Sequence, residues 1–371
     1  MLGNLRIWFL DRCHRRVLKT MLTNDQIHKN LSEHIIKNYF PNSDNVEVGP
    51  WEVNCFSICF WINAIFKSEQ KGIYVKIPKV IFYNKQNESI MPLSDKDKIL
   101  AEDEYRSLIH LGGNWPTNET HFIKVLDFVK EYNAIITERF YGNHFFKILK
   151  KCDLKRRVLS SPRFSSNILK RLAQSLSKFH QLSMKPCKVD LDKYFFKIEK
   201  YSSELKSLGV SKDYLDNLFS RLNKANSWEL DSYQTTTLKG LDIRQVFING
   251  QSDIFILDPG RMKNDYLEAD LARFITTCKI LYWGTFFIFL NLSPGNYYTD
   301  SFIKGYSVNN KISTRLINIL IIKELLKFWR MAYLVTGVRS WSLPIKKTLQ
   351  KIYIDPFYKG QINSELTTLG L

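Results

Sequence analysis

The hydrophobic pattern of this chain changes near residue 141. Before that point, short runs rich in β-branched and aromatic residues lie between Val46 and Arg139, which is typical of strands. Beyond Gly142, apolar residues recur at helical spacing over long stretches. A strand-rich first third followed by a helix-rich remainder indicates an α+β protein with two lobes. We predict an N-terminal extension and a small antiparallel-sheet lobe at 1–140, and a larger helical lobe at 141–371.

The same periodicity places individual elements. In the first lobe we predict a helix at 23–38, strands between Val46 and Phe66 and at Gly72–Ile77, a helix at 98–111 ending at Gly112 and Gly113, and strands around Phe122–Val129 and Ala134–Arg139. In the second lobe we predict a helix through Leu169 and His180, one or two helices in Tyr194–Leu222, a hairpin of Val246–Ile248 and Ile254–Leu257, and a core helix at Ile280–Leu292. His180 is expected to be a packed structural histidine.

The chain is strongly basic, with 54 Lys and Arg against 36 Asp and Glu and a net charge of +18. Such a charge favours nucleic acid, an anionic membrane surface or acidic substrates as partners. The basic residues are spread along the chain, however, and the densest run, Lys147–Arg157, is short. No module with groove-reading spacing accompanies them. We therefore expect no nucleic-acid partner, and a solvated basic face that favours phosphate-bearing ligands or lipid headgroups.

Cysteine usage and apolar run lengths indicate the compartment. The six cysteines are scattered without the paired spacing of a zinc site, so buried free thiols in a reducing environment are expected. The apolar run Ile7–Leu10 is too short for a signal-peptide core. Ile280–Leu292 is shorter than the ~20 residues that a membrane-spanning helix needs. We expect a cytoplasmic protein.

Two charged residues of the first lobe are candidates for anion binding. Lys76 lies among apolar residues on a strand that ends at Pro78, so it needs a carboxylate or phosphate partner. Glu104 and Leu108 share one helix face, which places the carboxylate beside the core-facing side of that helix. The alternative is a surface lysine and a solvated glutamate.

Glu138 ends an apolar strand shortly before Gly142. One interpretation is that it begins the segment joining the two lobes, where backbone groups can bind an adenine edge. The other is an ordinary charged strand end.

The most specific pattern is TLKGLDIRQVFINGQSDIFILDPGRMKNDYLEAD, at residues 237–270. Asp242 lies in a loop before a hairpin, Asp258 follows the second strand of that hairpin, and Asp270 opens a helix. A strand end would deliver the Asp258 carboxylate rigidly, and Mg²⁺ is commonly held by one or two carboxylates together with substrate phosphates. The alternative for Asp258 is an aspartate of a tight turn, and Asp270 is expected to stabilise the loop below the site.

The order of these motifs resembles the aminoglycoside phosphotransferase and choline kinase branch of the protein-kinase-like fold. The resemblance runs from about Val46 to Tyr306 and rests on VKIP, EDEYRSLIHL, ITERFYG, SLSKFHQLS, FILDPG, EADLARFI and FIKGY. The strand-borne LDPG followed by a DLAR helix is its most specific part. It implies a two-lobed protein-kinase-like fold and phosphoryl transfer from ATP with Mg²⁺.

The resemblance also implies a role for each candidate residue. Lys76 would hold the α and β phosphates of ATP, and Glu104 would orient Lys76. Glu138 would mark the adenine-binding segment, Asp258 would bind Mg²⁺, and Asp270 would brace the catalytic loop. These are the parts that phosphoryl transfer needs.

The catalytic loop departs from the family pattern, which is His-Gly-Asp and then an asparagine five residues after the aspartate. Here the corresponding run is Lys239–Gln245. If Gln245 replaces the asparagine, Asp242 is two residues too close to it, and if Asp242 is matched by spacing, Phe247 falls on the metal-ligand position. Either the loop is shortened, with Asp242 accepting the hydroxyl proton and Gln245 offering an amide oxygen to the metal, or the loop is inactive.

Three hypotheses follow. The leading one is an ATP-dependent phosphotransferase that acts on a hydroxyl of a sugar, amino alcohol or saccharide-lipid intermediate, with Asp242 as base and Asp258 and Gln245 as metal ligands. The second is a catalytically inactive pseudokinase that serves as a nucleotide-binding or interaction module. The third is peripheral contact with an anionic membrane surface through Leu316–Trp341, although a buried helix pair explains that segment as well. No obligate protein partner is inferred.

Overall fold

The computed structural model describes residues 23–54, 56–67, 69–79, 93–149, 163–250, 253–280, 295–308, 310–338 and 342–371. The chain divides into two compact units. The first contains residues up to Gly112 and then Ile123–Tyr141, and the second contains Gly113–Phe122 and Gly142–Leu371. The short segment Gly113–Phe122 therefore belongs with the second unit, because its strand pairs there.

The first unit is built on an antiparallel sheet. Its strands are β1 (Asn45–Val48), β2 (Glu52–Val53), β3 (Ser57–Phe66), β4 (Glu69–Pro78), β6 (Val125–Val129) and β7 (Ala134–Glu138), with β5 (Thr120–Phe122) assigned to the second unit. The strand order is β1-β3-β4-β7-β6, and β2 pairs with β3. Strand β4 begins three residues earlier than the predicted start at Gly72, because Glu69 already pairs with Phe66. The turn between β3 and β4 is correspondingly short.

One face of this sheet forms the core of the first unit. Helix α1 (Asn24–Tyr39) covers it, and Thr23 begins that helix with a capping box to Gln26. The buried side chains of this core are Ile27, Leu31, Ile35, Phe40, Ile58, Phe60, Ile62, Ala64, Ile73, Val75, Ile77, Ala134 and Ile136. Since side chains alternate along a strand, Tyr74 and Lys76 of β4 lie on the opposite face.

Helix α2 (Asp95–Asn114) is longer than predicted. The prediction that it ends at Gly112 is wrong, because the helix continues through Gly112 and Gly113. Neither glycine has the positive φ of a helix C-cap, and a β-carbon on either would meet no atom within 4 Å. Buried Leu111 still packs inward at that end. Packing thus tolerates two glycines, each of which costs about 1 kcal/mol relative to alanine in a helix.

The second unit contains two small sheets. The four-stranded sheet has the order β5-β12-β11-β8, formed with β8 (Asn143–His144), β11 (Val246–Ile248) and β12 (Ile254–Ile256). The predicted hairpin of β11 and β12 is present, with Val246 opposite Ile256. The three-stranded sheet, β13-β10-β9, combines β9 (Lys185–Lys188), β10 (Asp231–Leu238) and β13 (Met262–Tyr266). Those three strands are absent from the sequence prediction, which has only one hairpin in this lobe.

Helices make up most of the second unit. Those with described bounds are α3 (Arg163–Gln181), α4 (Asp192–Ser207), α5 (Lys212–Asn223), α6 (Glu268–Lys279), α7 (Gly295–Tyr306), α8 (Thr314–Val338), α9 (Leu343–Leu349) and α10 (Asp355–Leu369). The predicted Tyr194–Leu222 region is two helices, α4 and α5. Together with the sheet of the first unit, these helices confirm the predicted α+β class.

Helix α8 is the central helix of this unit. It packs against α4, α6 and α10, and its residues Leu316, Leu320, Leu325 and Trp329 are fully buried. The apolar character of the described part of this segment, residues 316–338, is therefore explained by one core helix rather than by a helix pair. Within the described ranges, no helix combines the length and apolar character that crossing a bilayer requires.

Some sequence expectations fall outside the described residues. These are the core helix over positions 281–292, the part of the basic run at positions 150–157, and the cysteines at positions 13, 55 and 152. The described cysteines, Cys59, Cys187 and Cys278, are free thiols.

Candidate active site

Lys76 and Glu104 form an ion pair in the first unit. The Lys76 Nζ lies 2.5 Å from Glu104 Oε1, and the lysine and glutamate side chains are 19% and 7% exposed. Lys76 comes from β4 and Glu104 from α2, so the pair fixes a helix to a strand. The carboxylate and the ammonium group, predicted separately from the sequence, are brought together. The partly exposed ammonium group could also receive a phosphate oxygen.

The sheet face that carries Lys76 is polar and aromatic. Cys59 lies beside Lys76 in the register, and Trp61 and Thr137 flank Tyr74. Trp61 and Tyr74 are only partly buried, in contrast to the apolar face under α1. The Trp61 ring is covered by the Arg139 guanidinium, which lies 4.2 Å from its centre, so Tyr74 is the aromatic neighbour of Lys76 on its own strand.

A second lysine–carboxylate pair lies just beyond the end of β4, and the sequence interpretation missed it. Lys79 Nζ lies 2.9 Å from Asp97 Oδ2, and both residues are almost fully buried. Ser94 donates to the same carboxylate through its hydroxyl, at 2.7 Å. Lys79 follows the conspicuous VKIP segment directly, and Asp97 stands in the first turn of α2, which is the signal that the sequence offers. This pair fixes the start of α2.

Glu138 lies at the exposed end of β7. Its carboxylate pairs with Lys124 at 3.0 Å, and its amide nitrogen donates to the Lys124 carbonyl at 2.9 Å. The next amide, that of Arg139, donates to Gly72. We therefore expect any contact of Glu138 with a nucleotide to go through its carbonyl oxygen. The role of Glu138 stays a prediction.

In the second unit, two loops cross at a pair of glycines. The Gly240 amide donates to the Pro259 carbonyl at 2.7 Å, and the Lys239 amide donates to the Arg261 carbonyl at 3.1 Å. A β-carbon on Gly240 would lie 2.5 Å from the Gly260 nitrogen, and Gly260 has a φ of +65°. Glycine is thus required at both positions. The crossing fixes the loop of Asp242 against the loop of Asp258.

Asp258 and Gln245 start from adjacent backbone positions. Gln245 directly precedes β11, and its carbonyl accepts a hydrogen bond from the Leu257 amide at 3.1 Å. Asp258 follows two residues after β12, and its Oδ1 accepts from the Gly260 amide at 3.1 Å. A carboxylate and an amide oxygen are ligand types that Mg²⁺ accepts. No group of three or more His, Cys, Asp or Glu that could hold a metal occurs among the described residues, so phosphate oxygens would have to complete the coordination of a cation here.

Asp242 is buried and already paired. Its Oδ1 accepts hydrogen bonds from the Arg244 amide and from Arg244 Nε, both at 2.9 Å, and its Oδ2 pairs with Arg244 Nη2. The Asp242 side chain is 5% exposed, whereas that of Arg244 is 53% exposed. Arg244 thus takes three of the about four acceptor positions of the Asp242 carboxylate, and Oδ2 keeps a position at which it could accept a proton. The sequence analysis did not anticipate this pairing, although Arg244 stands only two positions from Asp242.

A buried chain of hydrogen bonds lies beneath these loops. Asp270 Oδ2 accepts from the Leu238 amide at 2.7 Å and lies 3.1 Å from His180 Nε2. The other ring nitrogen of His180 lies 2.6 Å from the Tyr306 hydroxyl. Burial raises the pKa of Asp270, and His180 partly offsets this. Asp270 therefore holds the end of β10 that leads into the loop of Asp242, and His180 is packed as predicted.

Comparisons with known proteins were made by sequence and by structure. None of the protein-family models matches the chain, and no curated protein matches it. Solved structures do match. A choline kinase from Streptococcus pneumoniae is 13% identical, with a TM-score of 0.51, and the alignment covers 93% of this chain and 99% of that one.

Two further solved structures match this chain with similar identity, TM-score and coverage. A spectinomycin phosphotransferase in complex with ADP and spectinomycin is 12% identical, with a TM-score of 0.52 and coverage of 93% of this chain and 99% of that one. An ethanolamine kinase from Plasmodium vivax is 14% identical, with a TM-score of 0.50 and coverage of 95% and 92%. This chain has a protein-kinase-like fold. The predicted fold is confirmed, and at such low identity the likeness establishes the fold alone.

In a protein-kinase-like fold, the spacing of residues in the loop Lys239–Gln245 can be compared with the family motif. In the motif described above, the aspartate precedes the asparagine by five residues. The backbone of Gln245 is bonded to Leu257, the residue before Asp258, and counting back five residues from Gln245 gives Gly240. Gly240 has no side chain to act as a base. If this loop provides a base, the carboxylate present is Asp242, two residues after Gly240.

Proposed function

We propose that this protein is an ATP-dependent phosphotransferase that transfers the γ-phosphoryl group to a hydroxyl of a sugar, an amino alcohol or a saccharide-lipid intermediate. The observation that carries the proposal is the Lys76–Glu104 ion pair at 2.5 Å, in a chain with a protein-kinase-like fold. A strand lysine held by a helix carboxylate is the arrangement that positions ATP phosphates in this fold.

The first unit would bind the nucleotide. Lys76 would donate to phosphate oxygens while Glu104 keeps the ammonium group in place. The solved relatives include a phosphotransferase in complex with ADP, which supports nucleotide binding by this fold.

The second unit would hold Mg²⁺ and the acceptor. Mg²⁺ would neutralise charge on the transferring group, and Asp258 and Gln245 would hold it. In the transfer, the acceptor oxygen forms a bond to the γ-phosphorus, the bond from that phosphorus to the ADP oxygen breaks, and the hydroxyl proton goes to Asp242. Because Asp242 is paired with Arg244, its part in the rate is expected to be modest, and positioning supplies most of the catalysis.

The test is ADP release from ATP and Mg²⁺, measured with water alone and with a panel of sugars, amino alcohols and sugar phosphates. Acceptor-dependent ADP release is expected, and Asp258→Asn should lower it by about a hundredfold or more. Asp213→Asn, an exposed change of the same kind on α5, is the control. Wild-type turnover by Asp258→Asn would overturn the assignment of Asp258.

A second candidate function is favoured by the same loop. Gly240 stands where a base is expected and Asp242 is neutralised by Arg244, which would suit a pseudokinase that binds nucleotide without transferring phosphate. Such a protein would bind ATP through Lys76 yet release no ADP with any acceptor. Acceptor-dependent turnover that is lost in Asp258→Asn would reject it.

A further inference from the structure

Six cationic side chains lie together beside the crossed loops of the second unit. They are contributed by α4, by the turn after β10, by the start of β13 and by α8. We call them the basic cluster: Lys193, Lys197, Lys239, Arg261, Lys263 and Lys323. The sequence offers a partial signal, since Lys193 and Lys197 stand one helical turn apart on α4.

The basic cluster is attached to the candidate transfer loops by backbone contacts. Lys239 directly precedes Gly240 and donates its amide to the Arg261 carbonyl at 3.1 Å. Arg261 follows Asp258 by three residues. An anion held between these side chains would therefore lie beside the loops that carry Asp242 and Asp258.

Carboxylates balance only part of the basic cluster. Asp265 accepts from Lys193 at 2.7 Å and from Lys263 at 3.0 Å, and Lys323 pairs with Glu324 at 3.0 Å. Although burial acts in the opposite direction, hydrogen bonds from Lys193, Tyr194 and Lys263 hold the pKa of Asp265 well below its usual range. One carboxylate thus serves two lysines.

Lys197 and Lys239 have no carboxylate partner within 4 Å among the residues that the structure describes. Lys197 lies 5.7 Å from the centre of the Tyr194 ring, which Lys193 and Lys323 also approach, at 5.1 and 5.4 Å. Partial burial, together with the neighbouring cations of the basic cluster, lowers the pKa of Lys197 and lowers that of Lys239 to about 8. The charges of neighbouring cations repel each other, and a bound anion would relieve the repulsion.

A solvated basic face is the ordinary explanation for surface lysines in a chain with a net charge of +18. That explanation does not suit this group. Solvated lysines keep apart, whereas Lys193, Lys197 and Lys323 all lie within 5.7 Å of the centre of one buried tyrosine ring. The backbone of Lys239 is hydrogen-bonded to Arg261 where the two candidate loops cross.

We propose that the acceptor of the transfer reaction carries an anionic group, a phosphate or a carboxylate, and that the basic cluster binds that group through Lys197 and Lys239. The proposal rests on the proposed phosphotransferase function and narrows its acceptor. A cationic amino alcohol would be repelled by the same side chains. The acceptor class is therefore an anionic alcohol, such as a phosphorylated sugar or a lipid-linked saccharide with a phosphate headgroup.

The test is calorimetric binding without nucleotide, at matched ionic strength, with glucose and with glucose 6-phosphate as probes. A parallel arm uses phosphatidylcholine vesicles with and without phosphatidic acid, to separate a soluble from a lipid-borne source. The variants are Lys197→Gln and Lys239→Gln, and the control is Lys200→Gln, an exposed lysine of the same helix.

We expect phosphate-dependent binding of one probe, weakened about tenfold by either cluster variant and changed less than about twofold by the control. Binding to neither phosphate-bearing probe, or equal weakening by Lys200→Gln, would overturn the proposal. Repeating the titration with saturating Mg²⁺ and ADP separates the two functions. If ADP displaces the probe, the basic cluster binds nucleotide phosphates and the acceptor assignment is wrong, while the kinase assignment survives. If ADP fails to bind at all, the kinase assignment fails, and the anion site is judged by the variants alone.

Discussion

The candidate ion pairs of the two units differ in how they are held. In the first unit, Lys76 and Glu104 come from a strand and a helix that are 28 residues apart in the chain. In the second unit, Asp242 and Arg244 are two residues apart in one turn, and the arginine is half exposed. The first pair is fixed by two packed elements, whereas the second depends on a side chain that can rotate away.

The geometry of the first pair is set by the packing of a strand and a helix, whereas the geometry of the second is set by the conformation of a short loop. The nucleotide clamp needs a lysine and a glutamate on rigid elements, and the chain has both. Asp242, the proposed base, lies in a loop whose backbone conformation is restricted by the close contact between Gly240 and Gly260. The chain thus combines a strand–helix ion pair, the proposed clamp, with a loop aspartate at an unusual position, the proposed base.

The largest effect is expected at the buried pair that supports the clamp. Lys79→Met would leave the Asp97 carboxylate buried without its cation, and we expect the free energy of unfolding to fall by about 3–5 kcal/mol. Chemical denaturation followed by tryptophan fluorescence measures this. Lys98→Met breaks an exposed pair in the same helix and should change the free energy of unfolding by less than about 1 kcal/mol. Equal effects of the two changes would contradict the structural role of Lys79.

The next effect concerns the clamp itself. Lys76→Met should lower phosphate transfer by about a hundredfold, because the ammonium group that holds the phosphates is lost. Initial rates of ADP release measure this, with Lys71→Met, an exposed lysine of the same strand, as the control. If Lys76→Met bound ATP and turned over like the control, the clamp would not be the nucleotide site.

The sequence predicts the clamp residues because both stand on elements with clear periodicity. Lys76 alternates with apolar residues on β4, and Glu104 is buried on α2 together with Leu108. The predicted α+β architecture and the β11–β12 hairpin are confirmed for the same reason.

The features that the sequence did not predict depend on tertiary contacts, which a single sequence does not reveal. Strand β13 (MKNDY) is polar and has the composition of a loop, yet it pairs with β10 along its whole length. The Asp242–Arg244 pair and the basic cluster also arise only when the chain folds. The sequence pattern ends α2 too early, because packing outweighs two glycines.

A smaller effect is expected at the irregular base. Asp242→Asn keeps an acceptor for the Arg244 amide and removes the basic carboxylate, so we expect transfer to fall by about tenfold, less than a free general base supplies. The same rate assay measures it, with Asp213→Asn as the control. An unchanged transfer rate would show that Asp242 takes no proton, and that positioning and metal binding account for the turnover.

The smallest effect is a pH dependence of anion binding. Lys239 has a pKa of about 8 in the folded protein, where it is partly buried and surrounded by cations of the basic cluster and by Arg273. A bound anion favours the charged lysine, so affinity is full below that pKa and falls as pH rises through it. Between pH 7.5 and 9 we expect glucose 6-phosphate binding to weaken several-fold, by at most about eightfold for one proton. Lys239→Gln should flatten this profile, and an unchanged slope in that variant would contradict the role of Lys239.

Binding of ATP together with a metal ion is the property on which the proposed function depends most. Isothermal titration with ATP, with and without Mg²⁺, measures it on the wild-type protein and on Asp258→Ala. We expect Mg²⁺-dependent binding that Asp258→Ala weakens by about tenfold or more. Absence of binding, or binding that neither Mg²⁺ nor the substitution changes, would contradict it.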